Sequence, residues 1–166
     1  MATTENQNAS PTLSSVRDAT ISDIPFFMEQ EARPDYQGLI FQWPEEKHRA
    51  GMEDPDKRYR VMENTDGSLL GYAILGNLTQ RRPILVRLVA AQSGKGVGGT
   101  LLAEAIDHVF TKTNAMVLYL DVFPENTRAI ALYERVGFRE AIKLRRATTI
   151  NGVEKPLLVM ALEKSV

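Results

Sequence analysis

Between Gln92 and Thr100 the chain reads Gln-Ser-Gly-Lys-Gly-Val-Gly-Gly-Thr, with four glycines in the six residues from Gly94 to Gly99. Glycine accepts positive φ and lets a ligand approach the backbone, so this stretch is a turn suited to close contact. Leu101, Leu102, Ala105, Ile106, Val109 and Phe110 follow at helical spacing. The turn therefore opens a helix, whose first N–H groups lack intrahelical partners and whose dipole end is positive, a combination that binds phosphate. Gly94, Gly96 and Gly99 satisfy G-x-G-x-x-G, and Asp121 falls about where the ribose-binding acid of a dinucleotide fold belongs. A Walker A loop is excluded, because Lys95, the lysine of this turn, is followed by glycine rather than by Ser or Thr. A turn rich in glycine for tight packing alone is the third reading.

The elements that must position this turn are legible on both sides. Ile84, Leu85, Val86, Leu88 and Val89, broken by Arg87 and opened by Pro83, form a short β-branched run that reads as a buried strand, and Met116 to Val122 reads as the next. Upstream, Tyr59 to Glu63 and Leu69 to Leu78 are strands joined through Asn64-Thr65-Asp66-Gly67, a hairpin signature. Val16 to Ala19 is a first strand, and Ser22 is the expected cap of a helix carrying Ile24, Phe26, Phe27 and Met28. Glu45 to His48, after Pro44, read as the first turn of a second helix. Downstream, Arg139 to Ile150 alternates and is basic, and Asn151-Gly152 turns it into a strand over Leu157 to Leu162. Short turns between successive strands predict an antiparallel meander, which counts against a doubly wound dinucleotide fold. The 45 residues after Asp121 are also too few for its remaining βαβ units, at roughly 30 residues each.

After the second strand, Asn126, Ala129, Leu132, Tyr133, Gly137 and Phe138 spell N-x-x-A-x-x-L-Y-x-x-x-G-F. With the glycine turn upstream, this resembles the Gcn5-related N-acetyltransferases, the acyl-CoA N-acyltransferase family, most strongly over residues 84–140. The resemblance implies an α+β, three-layer fold: a mixed, mostly antiparallel sheet with helices on both faces. It implies an N-acetyltransferase carrying acetyl from acetyl-CoA to a primary amine of a small molecule, a peptide end or a lysine. The pyrophosphate of acetyl-CoA is then expected on Gln92, Ser93, Gly94, Lys95, Gly96, Val97, Gly98, Gly99 and Thr100. The pantetheine arm is expected to run like an extra strand between two splayed strands. An N–H near Leu88, Val89 or Ala90 is the expected oxyanion donor, Asn126 and Ala129 are expected against the cofactor, and Tyr133 is expected to protonate the departing thiolate. Two features depart from the family pattern. Ser93 stands where Gln or Arg is usual, with Gln92 one place early, and the central strand has Arg87 but no carboxylate. Asp121, Glu125, Glu31, Asp35 or a water chain are the alternatives for the general base. The same departures keep open a second reading, a non-catalytic acyl-CoA-binding or regulatory module.

Composition bounds the rest. The chain has 166 residues, 43% of them hydrophobic and 25% charged, which suits one domain over residues 14–166. Residues 1–13 are Thr, Asn, Gln and Ser-rich with neither a basic start nor an apolar core, so a disordered tail without a signal peptide is expected. A net charge of −1 gives no general pull toward nucleic acid or an anionic membrane. The absence of cysteine removes disulfides and thiolate chemistry and fits a cytoplasmic protein. His48 and His108 are isolated, without metal-ligand spacing, so no metal is expected. His48 reads as a solvated surface residue, and Arg87 as a charge on an exposed strand face, with binding of an acidic acceptor or support of the site as the alternative. Tyr36, Phe41 and Trp43 are the expected wall of the acceptor pocket, Trp43 as a partly buried anchor. A homodimer is the assembly expected from the prevalence of two-fold pairs.

Overall fold

A computed structural model describes residues 14–165; the tail expected over residues 1–13 lies outside the described residues. Twelve elements follow in order: β1 (Ser15–Asp18), α1 (Ile24–Glu31), α2 (Glu45–Glu53), β2 (Arg58–Glu63), β3 (Leu69–Gly76), β4 (Ile84–Ala90), α3 (Val97–Lys112), β5 (Val117–Val122), α4 (Thr127–Val136), β6 (Arg139–Glu140), β7 (Arg146–Ile150) and β8 (Val153–Glu163). The eight strands form one mixed sheet ordered β1-β2-β3-β4-β5-β8-β6, with β7 paired to β8. Only β4 and β5 pair in parallel; the other neighbours are antiparallel. The predicted meander is therefore β2-β3-β4, and the Asn151-Gly152 turn closes β7 on β8 with φ of 50° and 76° at those residues, as a primed hairpin turn requires.

Helices cover both faces. Ile24 and Phe27 of α1 pack with Tyr59, Val61, Tyr72, Ile74 and Val89, and Phe27 stacks on Tyr72 with ring centroids 4.2 Å apart. On the other face Leu102, Ala105 and Val109 of α3 and Tyr133 of α4 pack with Leu85, Leu118, Leu120 and Met160. α4 begins where the Asn126 side chain accepts the Ala129 N–H at 3.4 Å, and ends at Gly137 with φ 118°, a left-handed cap that disfavours a side chain.

Three local expectations are corrected. Ser22 lies inside a 3₁₀ turn, and the entry to α1 is organised by Asp23, whose carboxylate accepts the Thr20 N–H at 2.8 Å and pairs with Arg17 at 2.8 Å. His48 is fully buried. It shares the inner face of α2 with Gly51, whose missing Cβ admits the Tyr59 hydroxyl, since a Cβ there would lie 2.5 Å from it. Arg87 is buried too, at 6% exposure. A β-bulge explains it: Ile74 pairs with Arg87 but Leu75 pairs with Leu85, so Val86 is an extra residue. A bulge turns two consecutive side chains to one side, and here Val86 and Arg87 both face α1 and α2, with Leu85 and Leu88 on the α3 side.

Candidate active site

The bulge does more than rotate Arg87. β4 and β5 pair only at Ile84 with Tyr119 and Leu85 with Leu120. From Val86 onward β4 bends away, leaving its outer edge unpaired as it runs to the glycine turn. The gap is the mouth of a cleft of ≈ 1010 Å³, bounded by β4, β5, α4, the glycine turn and the Tyr36–Trp43 segment. Every predicted cofactor contact lines this cleft except Val89, Lys95 and Thr100. Val89 is fully buried and packs on the α1 side, and the Thr100 hydroxyl donates back to the Gly96 carbonyl at 3.1 Å.

The turn is built in two parts. Gly94 and Gly96 have φ of 76° and 75°, conformations that favour glycine. α3 begins earlier than the apolar spacing suggested, at Val97, so Gly98 and Gly99 form its first turn. The first intrahelical bond runs from the Thr100 N–H to the Gly96 carbonyl at 3.0 Å. The N–H groups of residues 97–99 thus precede the helical ladder and face the cleft end. A Cβ added at Gly94, Gly96 or Gly99 would meet no heavy atom within 4 Å. Packing does not require these glycines, which border open space. Gly98 alone is tight, 3.3 Å from Leu132.

Tyr133 projects from α4 into the sheet end of the cleft, its ring 5.7 Å from Phe138 and 7% exposed. Burial, with a smaller contribution from nearby Tyr36, holds its phenol proton more tightly than usual. Tyr36 donates to the Ala90 carbonyl at 3.0 Å, and Arg33 donates to Ala90 and Ala91 at 3.1 and 2.7 Å. Together they tie the splayed end of β4 to the 3₁₀ turn after α1. Tyr36, Phe41 and Trp43 line the cleft and form a wall on one side of it, with Phe41 5.9 Å from Phe123.

The four carboxylates considered as bases part company. Glu125 is exposed and Asp35 pairs with Arg33 at 2.6 Å; neither lines the cleft. Glu31 is buried behind the wall, accepting the Tyr72 hydroxyl at 2.6 Å and the Trp43 N–H at 2.8 Å, with His48 Nε2 at 2.9 Å and Arg87 Nη1 at 2.8 Å. Burial alone raises its pKa, but the bonds from His48, Tyr72 and Trp43 and the Arg87 charge outweigh it, so the carboxylate is held below its usual range. It is a structural anion. Asp121 lines the cleft, half-buried; burial raises its pKa, and Arg146 at 3.5 Å offsets only part of that. Sequence reasoning missed Arg128 and Arg135, which also line the cleft. Their spacing with Ala129 and Leu132 on one stripe of α4 was the available signal.

With this geometry in view, comparison with known proteins is specific. The model of the Acetyltransferase (GNAT) family matches residues 23–138, and the chain belongs to that family. The N-alpha-acetyltransferase RimI of Mycobacterium tuberculosis is 30% identical over 117 residues, 68% of this chain and 71% of the relative. The spermidine N(1)-acetyltransferase of Vibrio cholerae is 34% identical over 111 residues, 65% of this chain and 64% of the relative. The crystal structure of the Vibrio cholerae spermidine N-acetyltransferase in complex with CoA and spermine superposes with a TM-score of 0.75 at 26% identity, covering 90% of this chain and 95% of that one. The chain is an acetyl-CoA-dependent N-acetyltransferase with the α+β fold of its family. No described helix is long and apolar enough to cross a membrane.

Proposed function

We propose that this cleft holds acetyl-CoA with its pyrophosphate on the 94–99 turn and its pantetheine arm along the unpaired edge of β4, and delivers the thioester to an amine entering past Tyr36, Phe41 and Trp43. The observation that carries the reading is the parting of β4 from β5 after the Leu85–Leu120 pair. It leaves a strand edge whose peptide groups suit an extended amide chain. Gly94, Gly96 and Gly99 contribute open space and the N–H groups of residues 97–99 contribute donors for phosphate. Arg128 and Arg135 add positive charge on α4. The Asn126 carbonyl oxygen is used by the α4 cap, so its Nδ2 donors remain for the ligand.

Chemistry follows from position. Asp121, directly or through water, takes a proton from the acceptor ammonium, and the freed nitrogen attacks the thioester carbonyl. A β4 N–H near Leu88 to Ala90 stabilises the developing oxyanion. As the C–S bond breaks, Tyr133 donates its phenol proton to the leaving sulfur, the nitrogen releases its second proton to solvent, and Tyr133 is reprotonated from solvent. Holding amine and thioester in one cleft supplies much of the rate. The acceptor is a primary amine, of a small molecule or a peptide.

Isothermal titration with acetyl-CoA and CoA tests the binding half. Micromolar binding is expected, and a folded protein that gives no heat with either refutes the reading. Thiol release across an amine panel tests the chemical half and separates it from CoA binding without turnover.

A further inference from the structure

Five cations and one carboxylate line the cleft: Arg33, Lys47, Arg87, Arg128 and Arg135 against Asp121. Three of the cations belong to the cofactor end, Arg128 and Arg135 on α4 and Arg33 at the end of β4 beside the glycine turn. Lys47 and Arg87 lie at the other end, and both are stacked on one indole. Lys47 Nζ and Arg87 Cζ are each 4.2 Å from the centroid of Trp43.

Arg87 has its charge paired by Glu31, but neither of these two cations has its hydrogen-bonding capacity met by the described residues. Arg87 Nη1 lies 2.8 Å from Glu31 Oε2, yet it is a buried donor without an aligned hydrogen bond among the described residues. Glu31 is already committed to Tyr72, His48 and the Trp43 N–H. Among the described residues Lys47 pairs with no carboxylate, and its side chain rests on the Trp43 ring. A buried donor without its hydrogen bond is costly and is normally satisfied by a partner. A guanidinium is a planar fork that matches a carboxylate, and that of Arg87 lies over the Trp43 ring at the acceptor end of the cleft.

We infer that the acceptor is a primary amine that also carries a carboxylate, and that Arg87 and Lys47, flanking Trp43, receive that carboxylate. The inference rests on the acetyl-transfer reading of the cleft given above. It sets this chain apart from a polyamine acetyltransferase, because the same two cations repel an acceptor bearing a second ammonium. A unit charge about 6 Å from one such cation, at an effective dielectric of ~40, changes affinity by about tenfold in either direction. The carboxylate has two sources of the same chemistry, the α-carboxylate of a free amino acid and an acidic side chain next to a peptide's amino end.

Matched acceptors test it by thiol release at saturating acetyl-CoA, with rates referred to the concentration of free amine. Free alanine and glutamate are compared with their α-amides, Ala-Glu amide with Ala-Gln amide, and all with spermidine. An advantage of about tenfold or more in kcat/KM for an acid over its matched amide is expected, with spermidine at or below the amides. An advantage confined to the free acids assigns the α-carboxylate, and one confined to Ala-Glu amide assigns the side chain. Lys47→Gln, on the surface of α2, should reduce the advantage about tenfold through KM, and Arg87→Gln should abolish it if that variant folds. Trp43 is the only tryptophan, so its fluorescence in the CoA-bound protein should respond to N-acetylglutamate and not to N-acetylglutamine amide. Amides or spermidine turned over as well as the acids, or an advantage that survives Lys47→Gln unchanged, overturns the inference while leaving acetyl transfer intact. If none of these amines is acetylated, an equal Trp43 response to acid and amide overturns it. Absence of acetyl-CoA binding refutes instead the function on which it rests.

Discussion

Glu31→Gln tests whether the Tyr36–Trp43 wall of the cleft is held by a single buried anion. The carboxylate is fully enclosed and gathers Trp43 from the wall, His48 from α2, Tyr72 from β3 and Arg87 from β4. The amide keeps the shape but removes the charge, leaving Arg87 as a buried cation without its ion-pair partner, a change that costs about 3–5 kcal/mol. For a domain of this size that is a fall in Tm of roughly 6–20 °C. Replacing both partners, in Glu31→Gln/Arg87→Met, removes the stranded charge, so the double variant should recover about 2 kcal/mol or more relative to additivity. Urea denaturation followed by circular dichroism measures all four corners of the cycle. The pH dependence gives an independent check. The folded-state pKa of Glu31 is lowered, so its stabilisation is fully present above the unfolded carboxylate pKa and is lost as pH falls through the folded one. The gap between the parent and Glu31→Gln should therefore narrow on acidification below about pH 4.5. A cost under about 1 kcal/mol, additive with Arg87→Met, would show that the two residues act independently and that the wall is held by packing alone.

Tyr133→Phe should leave acetyl-CoA affinity nearly unchanged while the chemical step falls by about 10²- to 10⁴-fold in single-turnover kinetics; an unchanged rate assigns the thiolate proton to water. Asp121→Asn should lower kcat/KM and remove its acid limb, which in the parent lies above the ordinary carboxylate range because burial raises the Asp121 pKa; an unaltered pH profile excludes it as the base. Gly99→Asp places a side chain in open space at the first turn of α3, where an acid favours the helix by about 0.3–1 kcal/mol, so Tm should hold or rise while acetyl-CoA binding weakens at least about tenfold; joint loss of both supports a packing role for the turn. Gly71→Ala should do the reverse, because its Cβ would lie 2.5 Å from the Val89 carbonyl and 2.7 Å from Val97; a loss of about 1–3 kcal/mol is expected by denaturation.

What could be read from the sequence was local. The glycine turn, the Asn126 to Phe138 run and the Asn151-Gly152 hairpin each carry their meaning in a short, continuous window of sequence, and each is where the spacing predicted. Gly98 and Gly99 belong to α3, yet they read as turn because they interrupt the apolar spacing between its buried residues Val97 and Leu101. The polar wall was not legible. Arg87 looked exposed because a strand is read with a period of two, and the extra residue at Val86 breaks that period without any Gly or Pro to announce it. His48 looked solvated beside Glu45, Glu46 and Lys47, and only the tertiary partner Glu31 makes it a buried residue. A buried ion pair between residues on separate elements leaves no periodic trace in either.

The extra residue in β4 also bears on how this chain could change its preference over evolutionary time. Because Val86 and Arg87 share one wall while Leu85 and Leu88 anchor the opposite core, the Val86 codon can be rewritten without touching the residues that keep the sheet folded, and the Arg87 codon can be rewritten together with that of its partner Glu31. Deletion of either one is a different matter, since it would restore strict alternation, close β4 onto β5 and erase the gap. Val86 is thus open to drift and Arg87 to change in step with Glu31, whereas a length change in this strand amounts to loss of the enzyme.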